Sequence, residues 1–248
     1  MKNKDIFTFR DAEKQAGPVA FSTMLKPAGS ACNLDCHYCY YLDKAVQYGG
    51  RQAVMSDELL ELYVRQYIEA NEVPTVQFCW HGGEPLLLGV DFYRKAMDFQ
   101  QKYADGKKIE NILQTNGTLV DEAWCDLFAG NNFLVGISLR LTKGGRPTFE
   151  RVMRTIEMFQ RSGVEYNTLS VVNRLCEGRG GEIYRFFRDT VHSRYMQFLP
   201  AVEHVVDKPG FHRPLIVSPD REGARLAEWS VTAKGYGGFL CDVFDVWV

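Results

Sequence analysis

Apolar and β-branched runs alternate with stretches of helical periodicity along most of the chain. Residues 57–70 (DELLELYVRQYIEA) bring Leu59, Leu60, Leu62, Tyr63 and Tyr67 near one helical face, and Ser56 stands where an N-cap belongs. Helices are also expected over residues 91–103, 121–129, 148–161, 182–191 and 238–248. Short runs over 21–25, 75–80, 108–114, 133–139, 165–172 and 195–200 read as strands. Strands and helices thus alternate strictly. A parallel pair needs a crossover segment that packs back on the sheet, so this order predicts an α/β protein with a parallel sheet and helices outside. An open doubly wound sheet and an incomplete barrel both fit, and both carry their chemistry at the carboxyl ends of the strands. Residues 202–228, with Pro209, Pro214 and Pro219 and no clear period, read as an irregular loop rather than a domain boundary.

Composition narrows the partners. The 248 residues hold 31 acidic and 29 basic side chains, a formal net charge of −2, with 46% hydrophobic and 24% charged residues. That is the make-up of a globular chain. Without an excess of Lys and Arg, neither nucleic acid nor an anionic membrane is expected as the main partner. No apolar run approaches the ~18 residues of a membrane helix, and residues 1–17 lack the apolar stretch of a signal peptide. A cytoplasmic protein is the expectation.

Seven cysteines, an odd number, argue against a disulfide framework. Three of them crowd into one octet, Cys32-Asn-Leu-Asp-Cys36-His-Tyr-Cys39, directly after the first strand. Cys79 falls inside a strand and Cys125 and Cys241 on helical stretches, where packing is the expected role. Three thiolates on one bend form a soft ligand set for zinc or an iron–sulfur centre. A closed zinc site wants a fourth ligand, and His37, inside the octet, would strain the loop. An open three-thiolate site suits a cubane cluster with one iron left to be chelated by S-adenosylmethionine (SAM), whose sulfonium an electron from the cluster could cleave. The turn His81-Gly82-Gly83-Glu84-Pro85, the turn Thr115-Asn116-Gly117 and Ser138 also follow strands, so all four motifs are expected on one rim.

Cys-x3-Cys-x-aromatic-Cys, with Tyr38 as the aromatic, resembles the signature of the radical SAM superfamily. The wider motifs LKPAGSACNLDCHYCYYLDK, HGGEPLL, LQTNGTLV, LVGISL and TKGGRPTFERVMRTIE are similar to those of the anaerobic sulfatase-maturating enzymes. The likeness runs from about Phe21 to Val248. It implies a partial six-stranded (β/α)6 barrel over residues 21–248, with 1–20 as a lead-in, and a [4Fe–4S] cluster and SAM as cofactors. The activity it implies is oxidation of a Cys or Ser in a sulfatase segment to formylglycine, with electrons from a reductant such as flavodoxin or ferredoxin. By the same resemblance Cys32, Cys36 and Cys39 hold the cluster. The turn of Gly82, Gly83 and Glu84 meets the amino group of SAM, Tyr38 packs near its adenine, and Asn116, Ser138 and Arg140 complete the cofactor site. Tyr41 and His81 line the substrate pocket, His81 standing where some relatives have glutamine.

The chain departs from that pattern twice. Leu139 is joined directly to Arg140, where the family has an Asp-Gly-Pro segment and a short loop. The cysteine-rich C-terminal domain with its two auxiliary clusters, and the aspartate that accepts the substrate proton, would fall beyond Val248. The expectation is therefore a radical-generating core. The alternatives are a shortened, catalytically incomplete homologue and a zinc-binding interaction module.

Overall fold

The computed structural model describes residues 8, 10, 17, 18, 20–36, 38, 39, 41, 54–139, 148–207 and 214–248. Strands β1 (Met24–Leu25), β2 (Thr75–Trp80), β3 (Lys108–Thr115), β4 (Phe133–Ser138), β5 (Glu165–Val172) and β6 (Met196–Pro200) form one sheet. Each pairs with the next in the chain and every pairing is parallel. Helices α1 (Asp57–Ala70), α2 (Val90–Tyr103), α3 (Glu122–Gly130) and α4 (Phe149–Ser162) lie between them, each packed on its successor. A doubly wound sheet reverses its strand order. This sheet does not, and the fold is the partial barrel.

Alternation along the strands places the core outside the sheet. Val76, Phe78 and Trp80 of β2 are buried against the helices, with ring centroids 5.0 Å apart for Tyr67–Phe78 and 5.3 Å for Trp80–Tyr93. The opposite face is left open: Gln77, Gln197 and Leu199 are exposed and Cys79 is half-buried. A closed eight-stranded barrel fills that space with branched side chains. Here that face carries polar and apolar side chains together, Gln77, Asn167 and Gln197 beside Ile112, Leu169 and Leu199, and at Gly136 a Cβ would crowd Leu169 Cδ1 and Asn167 Oδ1 at 2.9 and 3.1 Å.

The first strand is only two residues long, against five expected. In α1 the buried stripe is Leu60, Val64, Tyr67 and Ile68, while Leu59 and Leu62 face outward, one helical step away from the expected face. Residues 202–228 are not wholly irregular. β7 (His204–Val206) pairs antiparallel with β8 (Leu215–Val217) and β9 (Arg225–Leu226). Strands of two or three residues are too short to show a period of two, and Pro214 and Pro219 bracket β8 rather than interrupt it. Helix α5 (Gly180–Arg185) passes into a π-helical turn, Phe186–Thr190.

The last helix, α6 (Ala233–Trp247), begins five residues before the expected start. Its first turns hold Gly235, Gly237 and Gly238, which lower helix propensity, while the Thr232 side chain caps it by accepting from Gly235 N at 2.9 Å. Cys241 of α6 is exposed and packs against no core, contrary to expectation. No helix among the described residues is long and apolar enough to cross a membrane.

Candidate cofactor site at the rim of the sheet

The cysteine octet follows β1, the HGGEP turn follows β2, the TNG turn follows β3 and Ser138 ends β4. Parallel pairing puts all four at the same rim, as the sequence predicts. Backbone bonds lace the first two together. Gly83 N donates to Gly29 O at 3.0 Å, Glu84 N to Ala31 O at 2.7 Å and His81 N to Leu25 O at 2.8 Å. Gly83 has to be glycine for this approach, because a Cβ there would run into the carbonyl oxygens of Ser30 and Ala31.

Glu84 joins the second turn to the third. Its side chain is wholly buried, and Oε1 accepts from Thr115 Oγ1 at 2.7 Å and Leu86 N at 3.1 Å, while Oε2 accepts from Asn116 N at 2.8 Å. Burial pushes this carboxyl above its ordinary range, against the pull of the three donors. The carboxylate is therefore committed to protein donors, and the turn offers a ligand its backbone. Pro85 then opens a short 3-10 helix, Pro85–Leu88.

The octet itself is a tight bend, with Cys39 N donating to Cys36 O at 2.7 Å. Cys36 is buried, and Cys32 and Cys39 are half-buried. The sulfur of Cys32 receives two N–H groups, Leu34 N at 3.4 Å and Asn116 Nδ2 at 3.8 Å. Such donors favour a sulfur that carries negative charge. Among the described residues no three His, Cys, Asp or Glu side chains close around a single metal ion. A cubane bonds each thiolate to a different iron, so it does not need that geometry. Three cysteines on one bend, with N–H donors aimed at one sulfur, fit a [4Fe–4S] cluster.

Of the residues expected to line the substrate pocket, Tyr41 and His81 are together, their ring centroids 6.4 Å apart, with Lys26 Nζ 5.0 Å from the Tyr41 ring. His81 Nδ1 accepts from Gly82 N at 2.7 Å, which places the imidazole proton of the neutral ring on Nε2. Burial lowers the His81 pKa, while a hydrogen bond with Gln114 opposes the shift. Tyr38, within the octet, is half-buried. Ser138 is half-buried at the end of β4 and, among the described residues, shares no hydrogen bond with the other rim motifs. His37 and Arg140 lie outside the described residues.

Sequence reasoning missed three residues that the site uses. Asn33 and Thr118 tie the octet to the TNG turn, and Gln114 reaches His81. Asn33 lies inside the octet and Thr118 directly follows the TNG turn, which was the only available signal. Gln114 could have been placed by strand alternation, since it precedes Thr115 and faces the other way.

Comparison with known proteins agrees with this geometry. Residues 27–176 match the radical SAM superfamily. The chain belongs to that superfamily. It is 43% identical over 236 residues to a serine-type anaerobic sulfatase-maturating enzyme of Bacteroides thetaiotaomicron, covering 91% of this chain and 56% of the relative. It is 35% identical over 244 residues to a cysteine-type enzyme of Clostridium novyi, covering 92% and 60%. A solved structure described as native anSMEcpe with bound AdoMet and Cp18Cys peptide superposes with a TM-score of 0.74 at 32% identity, covering 91% of this chain and 59% of that one. The chain thus spans a little over half the length of the curated relatives it matches. The radical SAM family uses a [4Fe–4S] cluster and SAM, and this membership favours the cluster over the zinc-binding module.

Proposed function

We propose that residues 21–248 form the core domain of a sulfatase-maturating type of radical SAM enzyme, preceded by a lead-in over 1–20. Its substrate is a peptide segment presenting a Cys or Ser side chain. The observation that carries this reading is the convergence of the cysteine bend, the glycine turn and the TNG turn on one rim, at the end of the open inner face of the sheet. Relatives named for maturation of serine-type and of cysteine-type sulfatases both support the substrate class.

In this reading Cys32, Cys36 and Cys39 hold the cluster and leave one iron for SAM. The backbone of Gly82 and Gly83 faces the amino group of the cofactor, and Glu84 serves by fixing the turn and Asn116. Tyr38 would pack near the adenine and Ser138 would meet polar groups of SAM; for Arg140, outside the described residues, only the sequence resemblance proposes a role, as partner of the SAM carboxylate. When bound, the cluster supplies one electron, drawn from a carrier such as flavodoxin or ferredoxin, to break the carbon–sulfur bond of the sulfonium. Tyr41 and the neutral His81 border the space in which the peptide side chain waits, and their aromatic faces keep water from it.

The test is anaerobic reconstitution with iron and sulfide, followed by dithionite and SAM. The expected result is a brown protein that releases 5′-deoxyadenosine. Cys36→Ala should abolish the iron content, because two thiolates cannot hold a cubane, and Cys241→Ala, on the exposed side of α6, should leave it intact. Equal iron loss in the two variants would end this reading of the ligand set.

A further inference from the structure

The Asn116 side chain sits in a closed ring of hydrogen bonds. Thr118 Oγ1 donates to Asn116 Oδ1 at 2.6 Å, Asn116 Nδ2 donates to Asn33 Oδ1 at 2.9 Å, and Asn33 Nδ2 donates to Thr118 Oγ1 at 2.8 Å. Thr118 N also donates to Asn116 Oδ1 at 2.9 Å. A backbone N–H can only donate, so the oxygen end of the amide must face Thr118, and the orientation of the amide is decided by the network. One Nδ2 proton is taken by Asn33. The other is directed at Cys32 Sγ, 3.8 Å away. Asn116 N is anchored in turn by the buried Glu84 carboxylate at 2.8 Å.

We propose that Asn116 is a positioning residue that sets the reduction potential of the cluster through its N–H on the Cys32 sulfur. The inference rests on the reading of Cys32 as a cluster ligand. Hydrogen bonds to ligand sulfurs are among the determinants of iron–sulfur potentials. The sign follows from charge. One-electron reduction of the cluster by dithionite adds negative charge that the thiolates share, and an N–H donor stabilises the reduced state more than the oxidised one. The Asn33–Asn116–Thr118 ring is made of protein groups alone, so the effect is open to measurement without SAM. It also explains why an amide, rather than a hydroxyl, stands at this position. One group has to accept from Thr118, donate to Asn33 and donate to sulfur at once.

The experiment is a potentiometric titration of the reconstituted cluster without SAM, followed by electron paramagnetic resonance, in wild type, Asn116→Ala and Thr118→Val. Iron and sulfide are assayed in each. Asn116→Ala should keep its iron and shift the oxidised-to-reduced ratio about tenfold toward the oxidised form, a fall of about 59 mV for a one-electron couple. Thr118→Val leaves the amide but removes one of its two orienting donors, and should move the potential the same way by less. Wild-type protein that gathers no iron would overturn the ligand assignment together with this inference. Full iron in all three proteins with equal potentials would overturn the inference alone. Should Asn116→Ala fail to assemble a cluster, the Thr118→Val potential decides.

Discussion

Glu84 Oε2 accepts the backbone N–H of Asn116 at 2.8 Å, a bond that couples the turn after β2 to the turn after β3. The same carboxylate accepts from Thr115 and Leu86, so one buried side chain fixes the relative position of two rim motifs. Glu84→Gln would set an amide N–H against one of these donors. Loss of stability of about 1–3 kcal/mol is expected, the cost of leaving a buried polar group unpaired. The effect should depend on pH. Burial raises the folded-state pKa of Glu84 above its unfolded value, so the native state binds the extra proton, and wild type gains stability as pH falls from the raised pKa toward the unfolded one. The variant lacks this gain. Urea denaturation at pH 7 and pH 5 should therefore show a larger gap between the two proteins at the lower pH.

Gly83 offers a test of the lacing between the octet and the glycine turn. Gly83→Ala drives a methyl group into the carbonyl oxygens of Ser30 and Ala31, and Cys32 follows directly. Backbone has little room to give there, so the cysteine bend should be displaced while the sheet and outer helices persist. Far-ultraviolet circular dichroism close to that of wild type, together with iron content reduced several-fold after reconstitution, is the expected pair of results. Full iron would show that the bend is free to shift without consequence.

The barrel and its rim were legible in the sequence because each rests on a strong local pattern. Strand β4 (FLVGIS) is apolar up to its last residue, Ser138, and so reads as a buried strand, and helix α4 runs within one residue of its expected bounds. Cysteines 32, 36 and 39 needed only their spacing and a preceding strand. Alternation of elements is common to an open sheet and a barrel; the family resemblance chose the barrel, and the unreversed pairing of β1 through β6 bears it out. The small sheet of β7 to β9 escaped notice because its strands are shorter than any period. The role of Glu84 escaped for a different reason. A Gly-Gly-Glu turn reads as ligand-facing, and only the packing of Thr115, Asn116 and Leu86 around the carboxylate shows that it faces inward.

Helix α6 carries a simple stability test. Gly237 is exposed in mid-helix, and an added Cβ would meet nothing within 4 Å. Gly loses more backbone freedom on folding than Ala, a difference of about 0.5–1 kcal/mol in a helix. Gly237→Ala should raise the midpoint of thermal unfolding by about 2 °C in a chain of this size. Gly180→Ala should act the other way, because its Cβ would strike the Phe239 carbonyl oxygen where α5 crosses α6. Differential scanning calorimetry of both variants would decide it, and equal midpoints would show that the two helices are not packed this closely.

His81 gives the last prediction. Burial holds its pKa below the ordinary 6.5, and the hydrogen bond with Gln114 works against that shift. The depressed value means that the native state prefers the neutral ring. The associated stability is complete above the unfolded pKa of 6.5 and is lost as pH falls through the folded value. At pH 7 the ring is therefore neutral, with Nδ1 turned to Gly82 N and the proton on Nε2. Removing the Gln114 side chain takes away the partner that favours the protonated ring, so Gln114→Leu should move the midpoint further down. A nuclear magnetic resonance titration of the His81 ring signals in the two proteins measures this directly. A midpoint at or above 6.5 in wild type, or an upward move in Gln114→Leu, would mean that the imidazole is solvated and that the surroundings of the ring at the end of β2 are open to water.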